Sequence, residues 1–411
     1  MSKQPSLSPR LFNAAVIVAS LGYFVDIFDL LLFSIVRKTS LASMGLDEAA
    51  QISQGLFLHN VQMTGMLIGG IIWGIWADKK GRLSVLFGSI ALYSIGNLAN
   101  AFVQDVTQYA VCRFISGIGL AGELGAGITL VAESLPKEKR GLGTTIVASV
   151  GVSGAVFGGL VAEIFDWRTT FLIGGALGFA LLILRINTTE SLLFSHAQNK
   201  NSVRGSFLSI FKKKDRLFRF IVSVLVGVPI WFTIGTLIQL APEFAKSLGV
   251  AGLVTGGRAV MVSYAGLALG DLCSGAFSQW VGSRRRAIFI SLVGLSLTIL
   301  AYFTLGRGAS SFNFYLICGF LGFFAGYWAV FVTVAAEQFG TNLRGTVAIS
   351  VPNFVRASVI PMSLSFQYLQ QYMIMTNAAA VVGTVAIAIA LAANLMMQET
   401  FDKDLAYYEV D

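Results

Sequence analysis

Apolar residues run in long blocks along this chain instead of alternating with polar ones. Twelve such runs stand out, at about 11–36, 55–77, 83–104, 108–133, 141–164, 169–187, 218–241, 254–280, 286–306, 312–338, 343–368 and 374–397. A helix crosses a bilayer with roughly 20 apolar residues. The pattern therefore predicts an all-α membrane protein of twelve transmembrane helices with no room for a large soluble domain. The first run contains Asp26 and Asp29 and lacks a small-residue cleavage site, so it reads as a retained span and not a signal peptide. The longest polar gap, 188–217, carries Lys212, Lys213, Lys214 and Arg216. It reads as a cytoplasmic linker between one six-helix bundle, 1–187, and a second, 218–411, which ends in a short tail.

Composition sharpens this picture. Of 411 residues, 55% are hydrophobic and 12% charged, against about 25% charged in soluble domains. The 44 glycines fit helices packed in lipid. A net charge of +8 would suit nucleic acid, but the basic residues sit in short loops between apolar runs. With both termini placed in the cytoplasm, 21 of the 29 Lys and Arg fall on that side. The opposite side holds five, namely Arg37, Lys38, Arg168, Lys246 and Arg307, while Arg113, Arg258 and Arg356 lie within runs. This bias predicts an inner (plasma) membrane protein with both termini inside, in contact with lipid and not nucleic acid. The three cysteines, Cys112, Cys273 and Cys318, lie in apolar runs and suggest neither a disulfide framework nor a metal site. With no Gly-x-x-x-x-Gly-Lys-Ser/Thr loop, ATP drive has no support. No cofactor is expected, and nothing points to an enzyme.

The halves repeat each other. Gly74-Ile-Trp-Ala-Asp78-Lys-Lys-Gly81-Arg82 ends run 2, and Gly275-Ala-Phe-Ser-Gln279-Trp-Val-Gly282-Ser283 ends run 8 at the same spacing. Glu133-Ser-Leu-Pro-Lys-Glu-Lys-Arg140-Gly141 and Glu337-Gln-Phe-Gly-Thr-Asn-Leu-Arg344-Gly345 follow runs 4 and 10. Parallel six-helix repeats around a central site are a transporter plan. At these residues, and at Arg113-x-x-x-Gly117-x-Gly119-x-x-Gly122, the chain resembles the major facilitator superfamily over all twelve runs. Run 7 reads Gly235-Thr-Leu-Ile-Gln239-Leu-Ala-Pro242-Glu-Phe. This is closer to organic-acid and aromatic-acid symporters than to sugar porters, and it makes Gln239 a candidate substrate contact. Run 5 lacks the proline of drug antiporters. The resemblance implies a monomeric, proton-coupled carrier of a small solute. It also implies that Gly74, Asp78, Arg82, Glu133, Arg140, Glu337 and Arg344 form a cytoplasmic gate network.

Ionisable groups inside a membrane are costly and are functional candidates. At about 1.5 Å per residue, Asp29 and Arg113 share a depth. They form either a proton switch or a static ion pair. Asp26 lies three residues from Asp29, on nearly the same face, and either shares a proton or bonds a nearby Ser or Asn. Glu123, near mid-depth in a glycine-rich stretch, is a proton or substrate site or a buried packing group. Arg356, flanked by Pro352 and Pro361, either holds a substrate carboxylate or pairs with Glu123 or Asp271. Asp271 otherwise belongs to the gate. His59 titrates in a useful range or is a packing residue. Phe320, Phe324, Tyr327 and Phe331, with Trp328 adjoining, share one predicted face that lines a site or packs. The leading expectation is proton-coupled uptake of an organic acid by alternating access. The alternatives are proton-driven efflux and a sensor or scaffold that moves nothing.

Overall fold

The computed structural model describes residues 14–123, 125, 127, 131, 137–185, 207–401 and 407–409 (side chains at 14–15, 78, 82–83, 137–145 and 149 lie outside the description). The first six passes are α1 (Ala14–Ser43), α2 (Glu48–Lys80), α3 (Arg82–Asn100), α4 (Val106–Leu120), α5 (Lys137–Ile164) and α6 (Trp167–Leu184). A 3-10 turn, Phe207–Ile210, precedes α7 (Lys214–Phe232), which continues as a π-helix, Thr233–Ile238. Then come α8 (Ala241–Ser247), α9 (Gly256–Val281), α10 (Arg284–Thr304), α11 (Ser311–Ala325), α12 (Trp328–Glu337), α13 (Thr341–Ala357), α14 (Val359–Leu369) and α15 (Met375–Met396). Among the described residues ten stretches are long and apolar enough to cross a membrane. With α3 and α4 the chain makes twelve passes. The tenth is α11 with α12, and the eleventh is α13 with α14.

Polar residues at the run boundaries start the helices. Asp47, Asp105 and Asp166 accept backbone N–H groups at the first turns of α2, α4 and α6. Thr255, Ser283 and Ser310 do so for α9, α10 and α11, the bonds that otherwise orphaned helix-end donors need. The repeated motif is a chain reversal. Gly81 ends α2 at φ 96° and Gly282 ends α9 at φ 61°, conformations that glycine adopts without steric penalty. That need explains the glycine at both copies of the position, whereas Asp78 is replaced by Gln279 in the second.

In lipid the passes associate through close packing of small residues, because tails are as apolar as the side chains. A Cβ on Gly154 of α5 would lie 2.1 Å from the Phe24 carbonyl of α1. One on Gly270 of α9 would lie 1.9 Å from that of Phe323 in α11. The passes before and after the 3-10 turn meet along α2 with α13 and α5 with α9. Arg258, expected within a span, instead opens α9 at the surface and pairs with Glu163 of α5 at 2.7 Å.

Candidate functional site

Between the two sets of six passes lies a cavity with about 340 Å³ of empty space, its open part included. Small-molecule sites of this size combine apolar walls with few polar groups. Tyr23, Ile27 and Leu30 come from α1, Trp231 from α7, Tyr264 and Leu267 from α9, Trp328 from α12 and Arg356 from α13. The steps of four and three along α1 put its three residues on one face. Arg356 is 1% exposed. Its guanidinium carbon lies 5.6 Å from the Trp328 ring centre and 5.9 Å from that of Trp231, a cation flanked by two π faces. Its Nη1 donates to Asn353 Oδ1 at 3.1 Å, and its Nε has no hydrogen-bond partner among the described residues. A buried guanidinium with free donor capacity suits a carboxylate.

Arg356 forms an ion pair with neither Glu123 nor Asp271, as the sequence had allowed. Glu123 takes the guanidinium of Arg185, at the end of α6, with Nη1 to Oε2 at 3.1 Å. Arg185 also donates to the Val18 carbonyl at 3.2 Å. This buried pair lies within the first six passes and away from the cavity lining. Asp271 Oδ1 accepts the Ala329 N–H at 2.8 Å, and Ser274 Oγ donates to the Gly326 carbonyl at 2.7 Å. These bonds satisfy the break between α11 and α12. The break also removes the single aromatic face expected in run 10. Tyr327 is buried with its hydroxyl donating to the Val226 carbonyl at 2.9 Å, so it does not line the cavity. Trp328 does, while Phe320 is exposed.

Asp29 and Arg113 are close in depth but form no direct ion pair. Arg113 Nη2 donates to Asn97 Oδ1 at 2.8 Å and Nη1 to Gln62 Oε1 at 3.4 Å. The Phe171 and Phe33 ring centres lie 5.1 and 5.8 Å from its guanidinium carbon. Asp29 is fully buried, and neither carboxylate oxygen has a hydrogen-bond partner among the described residues. It feels the Arg113 charge and the Asn97 amide, whose Nδ2 has no hydrogen-bond partner among the described residues. A Cβ on Gly174 would lie 2.4 Å from Asp29 Oδ1, so the carboxylate fills the space that glycine leaves. Asp26 is equally buried, has no hydrogen-bond partner among the described residues and feels the Arg356 charge. His59 is buried, and neither ring nitrogen has a hydrogen-bond partner among the described residues. It faces Gly235, whose added Cβ would lie 3.2 Å from Nε2.

At the end where α1 meets α2, three ion pairs among the described residues join the two sets of passes. Arg37 Nη2 donates to Glu243 Oε1 at 2.6 Å and to the Gln239 carbonyl at 3.3 Å, while Nη1 reaches the Gln51 carbonyl at 3.1 Å. Gln239, expected in the substrate site, sits in this closure instead, its Oε1 accepting from Ser34 Oγ at 3.5 Å. Lys246 with Glu48 and Arg258 with Glu163 complete it. At the other end Gly74 packs on Thr346, an added Cβ lying 3.3 Å from the Thr346 carbonyl. Glu337 accepts two bonds from Arg284, at 2.7 and 2.9 Å, instead of pairing with Arg344, which donates to the Phe339 carbonyl at 3.4 Å. Glu133 and the side chains of Asp78, Arg82 and Arg140 lie outside the described residues. Arg185, Asn97, Gln62, Asn353 and the Arg37–Glu243 pair were missed in the sequence. Amides carry no charge to mark them, and the partners in the two arginine pairs, Arg185–Glu123 and Arg37–Glu243, lie far apart along the chain.

The family model of the Major Facilitator Superfamily matches residues 14–363. The sialic acid transporter of Escherichia coli is 26% identical over 338 residues, 80% of each chain. The niacin transporter of Acinetobacter baylyi is 26% identical over 361 residues, again 80% of each chain. The solved xylose transporter of Escherichia coli, in its inward-open conformation, shares 18% identity at a TM-score of 0.72, covering 96% of this chain and 98% of that one. At that identity the likeness concerns the fold alone.

Proposed function

This chain belongs to the Major Facilitator Superfamily and is a multi-pass membrane transporter, not an enzyme; on that premise we propose that it takes up a small aromatic carboxylate together with a proton. The carrying observation is Arg356, the buried guanidinium in an otherwise apolar and aromatic cavity. Its free Nε edge receives the carboxylate, and Trp231, Trp328, Tyr23 and Tyr264 bracket a flat ring. Niacin and sialic acid, which name the two relatives, are both carboxylic acids, and this supports the reading.

Asp29 and Asp26 are the proton-carrying groups in this reading. A lone buried carboxylate is strongly favoured to be neutral unless a cation stands beside it, so proton occupancy depends on how the Arg113 and Arg356 charges are shared. A solute carboxylate that takes Arg356 changes the charge that Asp26 faces, and this links solute and proton. The protein works as a monomer in the inner membrane, with both termini cytoplasmic, the orientation that the 21-to-5 split of Lys and Arg between the two sides supports. The Arg37–Glu243 end is then the outer end, and Gly74 with Thr346 closes the inner one. Alternating access exchanges these two closures around the cavity.

The test is uptake of labelled benzoate, nicotinate and 3-phenylpropionate into proteoliposomes under an inward proton gradient, with nicotinamide as the neutral control. Gradient-driven accumulation of at least one acid and none of nicotinamide is expected. Arg356→Met should abolish it, and Arg356→Lys should leave a residue of it, because a lysine supplies charge without the two-pronged geometry. Uptake unchanged in Arg356→Met would overturn the assignment.

A further inference from the structure

Arg356 is not held by its own helix alone. Its Nη1 donates to Asn353 Oδ1 at 3.1 Å, one turn earlier on α13. The amide is thereby oriented, with its Nδ2 left to donate. Nδ2 bonds the Ile349 carbonyl at 2.8 Å and, across the interface, the Ala121 carbonyl at 2.9 Å. Ala121 is the C-cap of α4, and Asn353 donates to its carbonyl from the other set of six passes.

The sequence repeat explains why the contact crosses the interface here. Asp271 lies four residues before Gly275 and satisfies the break in the tenth pass from α9. The matching position in the first repeat, four residues before Gly74, is Gly70. A Cβ there would lie 2.7 Å from the Asn353 Cβ and 2.9 Å from its Nδ2. Gly70 offers no side chain to the broken fourth pass and leaves the space into which Asn353 reaches.

We propose that Asn353 is a positioning residue that couples the substrate arginine to closure of the inner end. While α13 rests against α2 and α4, the Ala121 carbonyl fixes the Asn353 amide, and the amide fixes Arg356 toward the cavity. When the two sets of passes part on that side, Asn353 loses the Ala121 carbonyl and Arg356 loses its fixed orientation. Affinity for the carboxylate then falls as the inner end opens. Linkage demands the converse: a carboxylate bound by oriented Arg356 favours the closed inner end. This inference rests on the reading of Arg356 as the carboxylate site.

The experiment measures two quantities on the full-length protein, binding of benzoate and nicotinate and the labelling rate of a reporter. The reporter is Thr346→Cys, buried against Gly74, in a background without other cysteines. In the parent, each acid that binds should slow the labelling of this cysteine. Asn353→Ala should weaken binding about tenfold, the range for one hydrogen bond to a charged group. It should raise unliganded labelling and remove most of the acid's effect on it. Asn353→Asp should weaken binding further, because its carboxylate occupies Arg356. A purely structural role would change labelling without erasing its response to the acid. Parental affinity with a parental response in Asn353→Ala would overturn the proposal. Where Asn353→Ala fails to fold, Gly70→Ala decides, since it displaces the same amide without touching Arg356; parental behaviour there overturns it equally. Arg356→Met separates the two readings. If it binds like the parent, the carboxylate site itself is misplaced. If it loses binding while Asn353→Ala does not, only the coupling fails.

Discussion

Glu243→Gln should release the Arg37–Glu243 closure, which is the outer one in the proposed orientation. Arg37 and Glu243 meet at 2.6 Å with side chains 2% and 11% exposed. Removing one partner of a buried ion pair costs about 3–5 kcal/mol when nothing replaces it. Here Arg37 keeps the Gln51 and Gln239 carbonyls, and glutamine keeps an acceptor oxygen. The expected loss is the lower end of a charge-assisted bond, about 2 kcal/mol. In the outer-open state Arg37 meets water in parent and variant alike, so the loss falls on the closed state. Two kcal/mol is about a 30-fold change in an equilibrium constant. The other two closing pairs differ. Lys246–Glu48 is 70% and 64% exposed, and Arg258–Glu163 is 58% and 41% exposed. Each should contribute roughly 0–1 kcal/mol. A Ser34→Cys reporter, one turn inside the closure in a background without other cysteines, reads the open population through a membrane-impermeant thiol reagent added outside. Labelling should rise on the order of 30-fold in Glu243→Gln and only a few-fold in Lys246→Gln. Equal rates in Glu243→Gln and its parent would show that Arg37 does not hold this end shut.

Two further outcomes concern stability. Arg185→Met strands the Glu123 carboxylate beside Gly22 and should lower stability by about 3–5 kcal/mol. Adding Glu123→Leu should recover most of that, and thermal melts in detergent of both variants check it. Glu409, near the C-terminus, is gripped by Arg219 Nη1 at 3.0 Å, Arg216 Nε at 3.3 Å and the Gly340 N–H at 3.3 Å. Its burial opposes ionisation, but the Arg219 bond and charge with the other donors outweigh this and hold its carboxyl below the usual range. A carboxyl with a depressed folded value stabilises fully above its unfolded value and loses that contribution as pH falls through the folded one. The melting-point gap between parent and Glu409→Gln should therefore be present at neutral pH and close on acidification below about pH 4.5. A gap that persists in acid would mean that the tail is held by something other than this carboxylate.

The twelve passes and the repeat were legible in the sequence because they depend on local chemistry, but their ends were not: the first run stops at 36 where α1 continues to Ser43, and the second starts at 55 where α2 begins at Glu48. Apolar length, capping Asp, Ser and Thr, and glycines at positive φ act within one or two turns. The positions of Asp29, Arg113 and Arg356 inside runs were equally readable, since a charge in a span is conspicuous against its neighbours. Which group each charge faces was not. Arg113 goes to Asn97 and Gln62, Glu123 to Arg185, and Gln239 to the closure beside Arg37 and Glu243. These choices depend on rotations and offsets between passes far apart along the chain. The breaks at Ala121 and Gly326 were hidden for a related reason. At each, a side chain from another pass, Asn353 or Asp271, bonds a backbone group of the break. A hydropathy pattern registers how apolar a residue is. The partner of a buried polar atom is decided by tertiary packing, because in a medium without water that atom must be met by whatever the fold brings to it.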